Sequence, residues 1–66
     1  MKLIANGDPF DAADGLTLPA FVEMQGLAIE RVVVERNGEA LTQAQAKETV
    51  LADGDRLEIV RIVAGG

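Results

Sequence analysis

Four of the seven glycines in this chain follow Asn or Asp, in the dipeptides Asn6-Gly7, Asp14-Gly15, Asn37-Gly38 and Asp53-Gly54. Asn and Asp tolerate positive φ and glycine adopts it freely, so each dipeptide is a place where the backbone reverses within two residues. Reversals this closely spaced in a 66-residue chain leave no room for long helices. The intervals suit short strands of about five or six residues and helices of two or three turns.

The intervals carry readable periods. Met1 to Ala5 alternates, with Leu3 and Ala5 on one side and Ile4 on the other, and Pro9 to Ala12 returns antiparallel after Asn6-Gly7 as a hairpin. Thr17 has the character of a helix N-cap, with Pro19 in the first turn, where a missing N–H costs nothing. Leu18, Phe21 and Val22 follow an i, i+3, i+4 spacing that lays one apolar stripe on a sheet; Gly26 ends the helix and Leu27 packs beneath that end. "RVVVER", Arg31 to Arg36, is a β-branched strand with Val32 and Val34 facing the core and Val33 and Glu35 outside. Glu39 to Leu41 pairs back briefly, Thr42 caps a short turn through Gln45 and Ala46, and Val50 and Leu51 plug the core. The last strand, Arg56 to Val63, turns Leu57 and Ile59 inward and Glu58, Val60 and Ile62 outward. Arg61 falls on the inward parity, so the strand is expected to leave the core after Ile59.

A hairpin, a helix, a strand, a short return and a final strand fit one arrangement economically. The helix crosses one face of a small mixed sheet, and a right-handed crossover places the last strand parallel to the first, in the middle. The expected class is α+β, a ubiquitin-like β-grasp, with residues 1–63 as the domain and 64–66 as a flexible C-terminal tail.

Composition removes several functions. The chain has no Cys and no His, so disulfides, thiolate nucleophiles, His-based triads and most transition-metal sites are absent from it. Paired carboxylates exist at Asp53 and Asp55 and at Asp11 and Asp14, but the first pair flanks a turn glycine and lacks the ligand string of a calcium loop. A chain this short buries only about 60 % of its unfolded surface and has little room for a catalytic pocket. It is therefore not expected to be an enzyme. The net charge of −5, with the six bases scattered, argues against nucleic acid. No apolar run approaches the roughly 18 residues of a membrane span or the core of a signal peptide, so the expected location is the cytoplasm and the expected free state a monomer.

Five glycines then have turns or a helix end to serve, and Gly65 and Gly66 have neither. A free carboxylate repels nucleophiles until ATP converts it to an acyl-adenylate, and that chemistry needs the carboxylate to reach deep into a partner's nucleotide site. Residues without Cβ atoms thread a narrow channel. Ala64, Gly65 and Gly66 extended reach roughly 10 Å, so the carboxylate can enter a cleft while the domain stays outside.

With "NG" at Asn6-Gly7, "VVVERNGE" at Val32 to Glu39 and "ETVLADGDRLEIVRIVAGG" at Glu48 to Gly66, the whole chain resembles the thiamine-biosynthesis sulfur carrier proteins. The resemblance implies a protein cosubstrate with no bound cofactor, in which a ubiquitin-activating-type enzyme consumes ATP to adenylate Gly66. It implies further that sulfur from cysteine, delivered by a cysteine desulfurase or another donor, makes a Gly66 thiocarboxylate that thiazole synthase uses to build the thiazole ring. Two departures lie in the middle of the chain: Thr42-Gln43 stands where the family often has Pro-Arg, and Ala46 where it often has a bulky aromatic. A molybdopterin synthase small subunit shares this fold and tail and is the close alternative; a ubiquitin-like protein modifier or binding module is the alternative from another class. If the helix covers the inner face, Ile4, Val33, Val60 and Ile62 form an apolar docking surface outside, beside the tail, with Glu58 and Arg61 contributing orientation and on-rate.

Overall fold

The computed structural model describes residues 1–63; the tail expected at Ala64, Gly65 and Gly66 lies outside the described residues. Strands β1 (Lys2–Ala5) and β2 (Asp8–Asp11) form the first hairpin, in register from Ala5 opposite Asp8 to Lys2 opposite Asp11. Asn6 and Gly7 both take positive φ, 49° and 84°, as a two-residue hairpin turn requires.

Helix α1 (Leu18–Met24) begins as its sequence dictates: the Thr17 hydroxyl accepts the Ala20 N–H at 3.2 Å, and Pro19 sits in the first turn. It buries Leu18, Phe21 and Val22. The helix ends in a Schellman motif, where Gly26 N–H donates to Glu23 C=O at 2.9 Å and Leu27 N–H to Val22 C=O at 3.1 Å. Leu27 packs half-buried against the core beneath that end. Phe21 meets the hairpin edge-on through Phe10, with ring centroids 5.3 Å apart.

A 3-10 turn at Ile29–Arg31 leads into β3 (Val32–Arg36), which reverses at Asn37-Gly38 into the two-residue β4 (Glu39–Ala40). The chain then forms α2 (Gln43–Glu48), a second helix almost as long as α1 where the sequence suggests only a short turn. The reason is a full capping box: the Thr42 hydroxyl accepts Gln45 N–H while the Gln45 side chain accepts Thr42 N–H. The small residue Ala46 lets α2 lie close on the core.

Strand β5 (Arg56–Arg61) completes a five-stranded mixed sheet in the order β2-β1-β5-β3-β4. It is central, parallel to β1 and antiparallel to β3. The core lies between the sheet's inner face and the helices, with Leu3, Leu18, Phe21, Val22, Val32 and Leu57 among its most buried members.

Two expectations are corrected. Val50 is exposed, whereas Leu51 alone fills the core. Val50 lies in an extended backbone bridge to Thr17, and successive residues of an extended segment face opposite sides, so only one of the pair can point inward. The last strand ends at Arg61, not Val63, yet its pairing outlasts Ile59: Arg61 stands opposite Val32, and Ile62 N–H donates to Arg31 C=O at 2.8 Å. Arg61 is exposed on the inward parity, as expected of a strand leaving the core.

Candidate functional site

Whatever the last residues do, β5 presents them, so the fixing of β5 defines the site. Three groups hold it, and two come from turn dipeptides. Asn6 reaches across the end of β1 and pairs with β5 as a strand would: its Nδ2 donates to Ile59 C=O at 3.0 Å, and its Oδ1 accepts Ile59 N–H at 2.7 Å. The side chain thus extends a parallel ladder that the backbone has already left for the hairpin. On the other flank, Asn37 Oδ1 accepts Arg56 N–H at 2.9 Å while its own N–H donates to Arg56 C=O at 2.8 Å. Asn37 Nδ2 also donates to Asp55 Oδ1 at 3.0 Å.

Asp55 is the third group, a carboxylate only 5 % exposed just before β5. It accepts Ala52 N–H at 2.8 Å and Arg36 Nε–H at 2.9 Å, and Arg36 Nη2 lies at ion-pair distance, 2.9 Å. Burial pushes its pKa up, but the hydrogen bonds from Ala52, Asn37 and Arg36, with the Arg36 charge, outweigh that and hold it below its ordinary 3.8. In the sequence, Asn6, Asn37 and Asp55 have the character of turn residues only. The available signal is chemical: Asn, unlike Asp, both donates and accepts, and two of the four turns use Asn.

The expected docking residues separate into a group and an outlier. Val33 and Val60 are directly opposite each other on β3 and β5, 49 % and 60 % exposed, and Ile62 follows on the same face at 52 %. Ile4 shares that face but lies beside Arg56, four residues back along β5. At about 3.3 Å per residue that is roughly 13 Å from Val60, and Ile4 is half-buried. Glu58 lies on the valine face, opposite Glu35, whereas Arg61 projects on the other parity; the two do not flank the patch together. Arg31, Arg61, Ile62 and Val63 instead line an open cleft of about 300 Å³ at the end of the described chain. Ala64, Gly65 and Gly66, the residues expected to enter a partner, lie outside the described residues. Among the described residues no group of three or more acidic side chains converges as a metal site, and no helix is long and apolar enough to cross a membrane.

The ThiS family model matches residues 3–66 of this sequence. A sulfur carrier protein ThiS of Thermus thermophilus is 34 % identical over 61 residues, covering 92 % of this chain and 94 % of that protein. Thiazole synthases of Magnetococcus marinus and Paramagnetospirillum magneticum are 36 % and 35 % identical across all 66 residues, and the chain spans only 20 % of the length of each. In structure, the crystallised thiamine biosynthesis protein ThiS of Geobacter metallireducens superposes with a TM-score of 0.77 at 35 % identity, each chain covered completely. The ThiS family and the ubiquitin-like β-grasp fold follow from these likenesses.

Proposed function

This chain belongs to the ThiS family, and we propose that it is a sulfur carrier of thiamine biosynthesis that carries the sulfur on Gly66. The observation that supports this is the mounting of β5. The strand occupies the centre of the sheet, is clamped from both sides at Arg56 and Ile59, and stays paired as far as Ile62, which gives the tail a fixed base there. A rigid base lowers the ordering cost when a partner takes up the tail.

Stepwise, a Gly66 carboxylate oxygen attacks the α-phosphorus of ATP in an adenylating enzyme, forming the acyl-adenylate and releasing pyrophosphate. A donor delivering sulfur at the oxidation level of sulfide then attacks the acyl carbon, expelling AMP and leaving the thiocarboxylate. The domain contributes no acid, base or metal to either step; it is the handle by which the reacting end is held. The acceptor of the sulfur is thiazole synthase, supported by the relatives of that name whose length includes a match to this whole chain. The exposed Val33, Val60 and Ile62 are the docking surface, and Ile4 lies outside its centre.

Intact-mass spectrometry tests the assignment. Incubated with ATP, its adenylating enzyme, a cysteine desulfurase, cysteine and a thiol reductant that brings the desulfurase's persulfide sulfur to the level of sulfide, the protein gains the mass of one sulfur in exchange for one oxygen. The chain lacking Gly66 remains unchanged; if the exchange persists there, Gly66 is not the carrier atom's residue.

A further inference from the structure

Arg31 and Arg61 carry two neighbouring guanidinia at the root of the tail in a protein of net charge −5. Their positions are set by backbone pairing: Arg61 opposes Val32, and the adjacent Arg31 receives the Ile62 N–H on its carbonyl. Both side chains are exposed. Among the described residues neither guanidinium has a carboxylate within ion-pair distance; the ion pairs found are Met1 with Asp14, Lys2 with Asp11, and Arg36 with Asp55. Glu30 precedes Arg31 in the 3-10 turn but makes no ion pair with it, and the acids of these strands, Glu35 and Glu58, are opposite each other further back along β5.

From this geometry, and on the reading that a partner takes up Gly66, we propose that the Arg31–Arg61 cleft binds an acidic segment of the adenylating partner. Reach supplies the reason. Only three residues separate Val63 from Gly66, and extended they cover roughly 10 Å. A protein that closes on Gly66 must therefore also cover the surface around Val63, where the two arginines lie. Guanidinia covered without counter-charge are uncompensated buried charges, which proteins do not tolerate at an interface. The partner must bring carboxylates, and the fork of an arginine matches a carboxylate in two bonds. Ile62 and Val63, 52 % and 84 % exposed, add an apolar wall, so the segment carries aliphatic side chains beside its acids. Elsewhere the negative field of the domain repels such a segment, which gives the encounter a single orientation.

The test measures association of the full chain with its adenylating enzyme by stopped-flow, without nucleotide, at low and physiological ionic strength. Arg31→Gln with Arg61→Gln is compared with Lys2→Gln with Arg56→Gln, which changes net charge equally at exposed positions, Arg56 lying five residues back along β5. The cleft variant loses roughly tenfold or more in association rate at low salt, and the control stays within about twofold. Arg31→Lys with Arg61→Lys keeps the rate and dissociates faster, because the charge remains and the fork is lost. Equal loss in both neutral variants, or a loss seen only when ATP is added, overturns the proposal, the latter by pointing to nucleotide phosphate. Sulfur exchange by the wild-type chain reports separately on the carrier reading, so either can fail alone.

Discussion

Replacing Asp55 by Ala removes the acceptor for three hydrogen bonds, one each from Ala52, Asn37 and Arg36 Nε, and the ion-pair partner of Arg36 Nη2. It also strands the Arg36 guanidinium, whose side chain is 29 % exposed and whose remaining contact is Val50 C=O at 3.3 Å. Breaking a buried pair costs about 3–5 kcal/mol, and the partial exposure of Arg36 places this case near 3 kcal/mol. In a domain of this size that lowers the melting temperature by roughly 12–24 °C. The effect has a pH signature. Because the folded pKa lies below the ordinary 3.8, the carboxylate's contribution is complete above that value and is lost as pH falls through the folded pKa. Urea titrations of wild type and Asp55→Ala from neutral pH into acid therefore show a stability gap that is constant down to about pH 5 and narrows below 3.8. The other carboxylates cancel in the difference. Adding Arg36→Met to Asp55→Ala recovers part of the loss, since neither charge is then left alone. A gap under about 1 kcal/mol at neutral pH, or one that is unchanged at pH 2, refutes the account of Asp55 as a bonded, ionised anchor.

Two further perturbations address the mounting of β5 and its proposed docking face. Asn6→Asp keeps the positive-φ tolerance of the turn but removes the donor to Ile59 C=O and sets a carboxylate against that carbonyl. It should cost about 1–3 kcal/mol and accelerate hydrogen exchange at the Ile59 amide more than at β1 amides; uniform exchange would mean that Asn6 acts only through the turn. Val60→Asp, at a position 60 % exposed, should leave the thermal midpoint within a few degrees and weaken binding to the adenylating enzyme by roughly tenfold or more, the equivalent of about 1.4 kcal/mol. Undiminished affinity removes Val60 from the docking surface.

The fold is legible in the sequence where one residue's own chemistry decides the outcome. Thr17 caps α1, Gly26 terminates it, and period-2 alternation sends Val32, Val34, Leu57 and Ile59 inward. Α second helix was hidden because a capping box needs Gln45 to fold back on Thr42, a geometry that residue types alone do not separate from a turn. Val50 and Leu51 are equally apolar, and only the bridge to Thr17 decides which is outside.

The sequence by itself determined the reversals at the Asn-Gly and Asp-Gly dipeptides and the alternation of the strands, because these depend on φ preference and side-chain polarity within a few residues. Tertiary structure decided what grips β5. Asn6 and Ile59 are 53 residues apart, and Asp55 and Arg36 are 19, so their bonds exist only once the crossover has brought β5 between β1 and β3. It also decided that Val33, Val60 and Ile62 form one patch without Ile4, and that Arg61 joins Arg31 rather than Glu58, since strand register is a long-range property that no local period encodes.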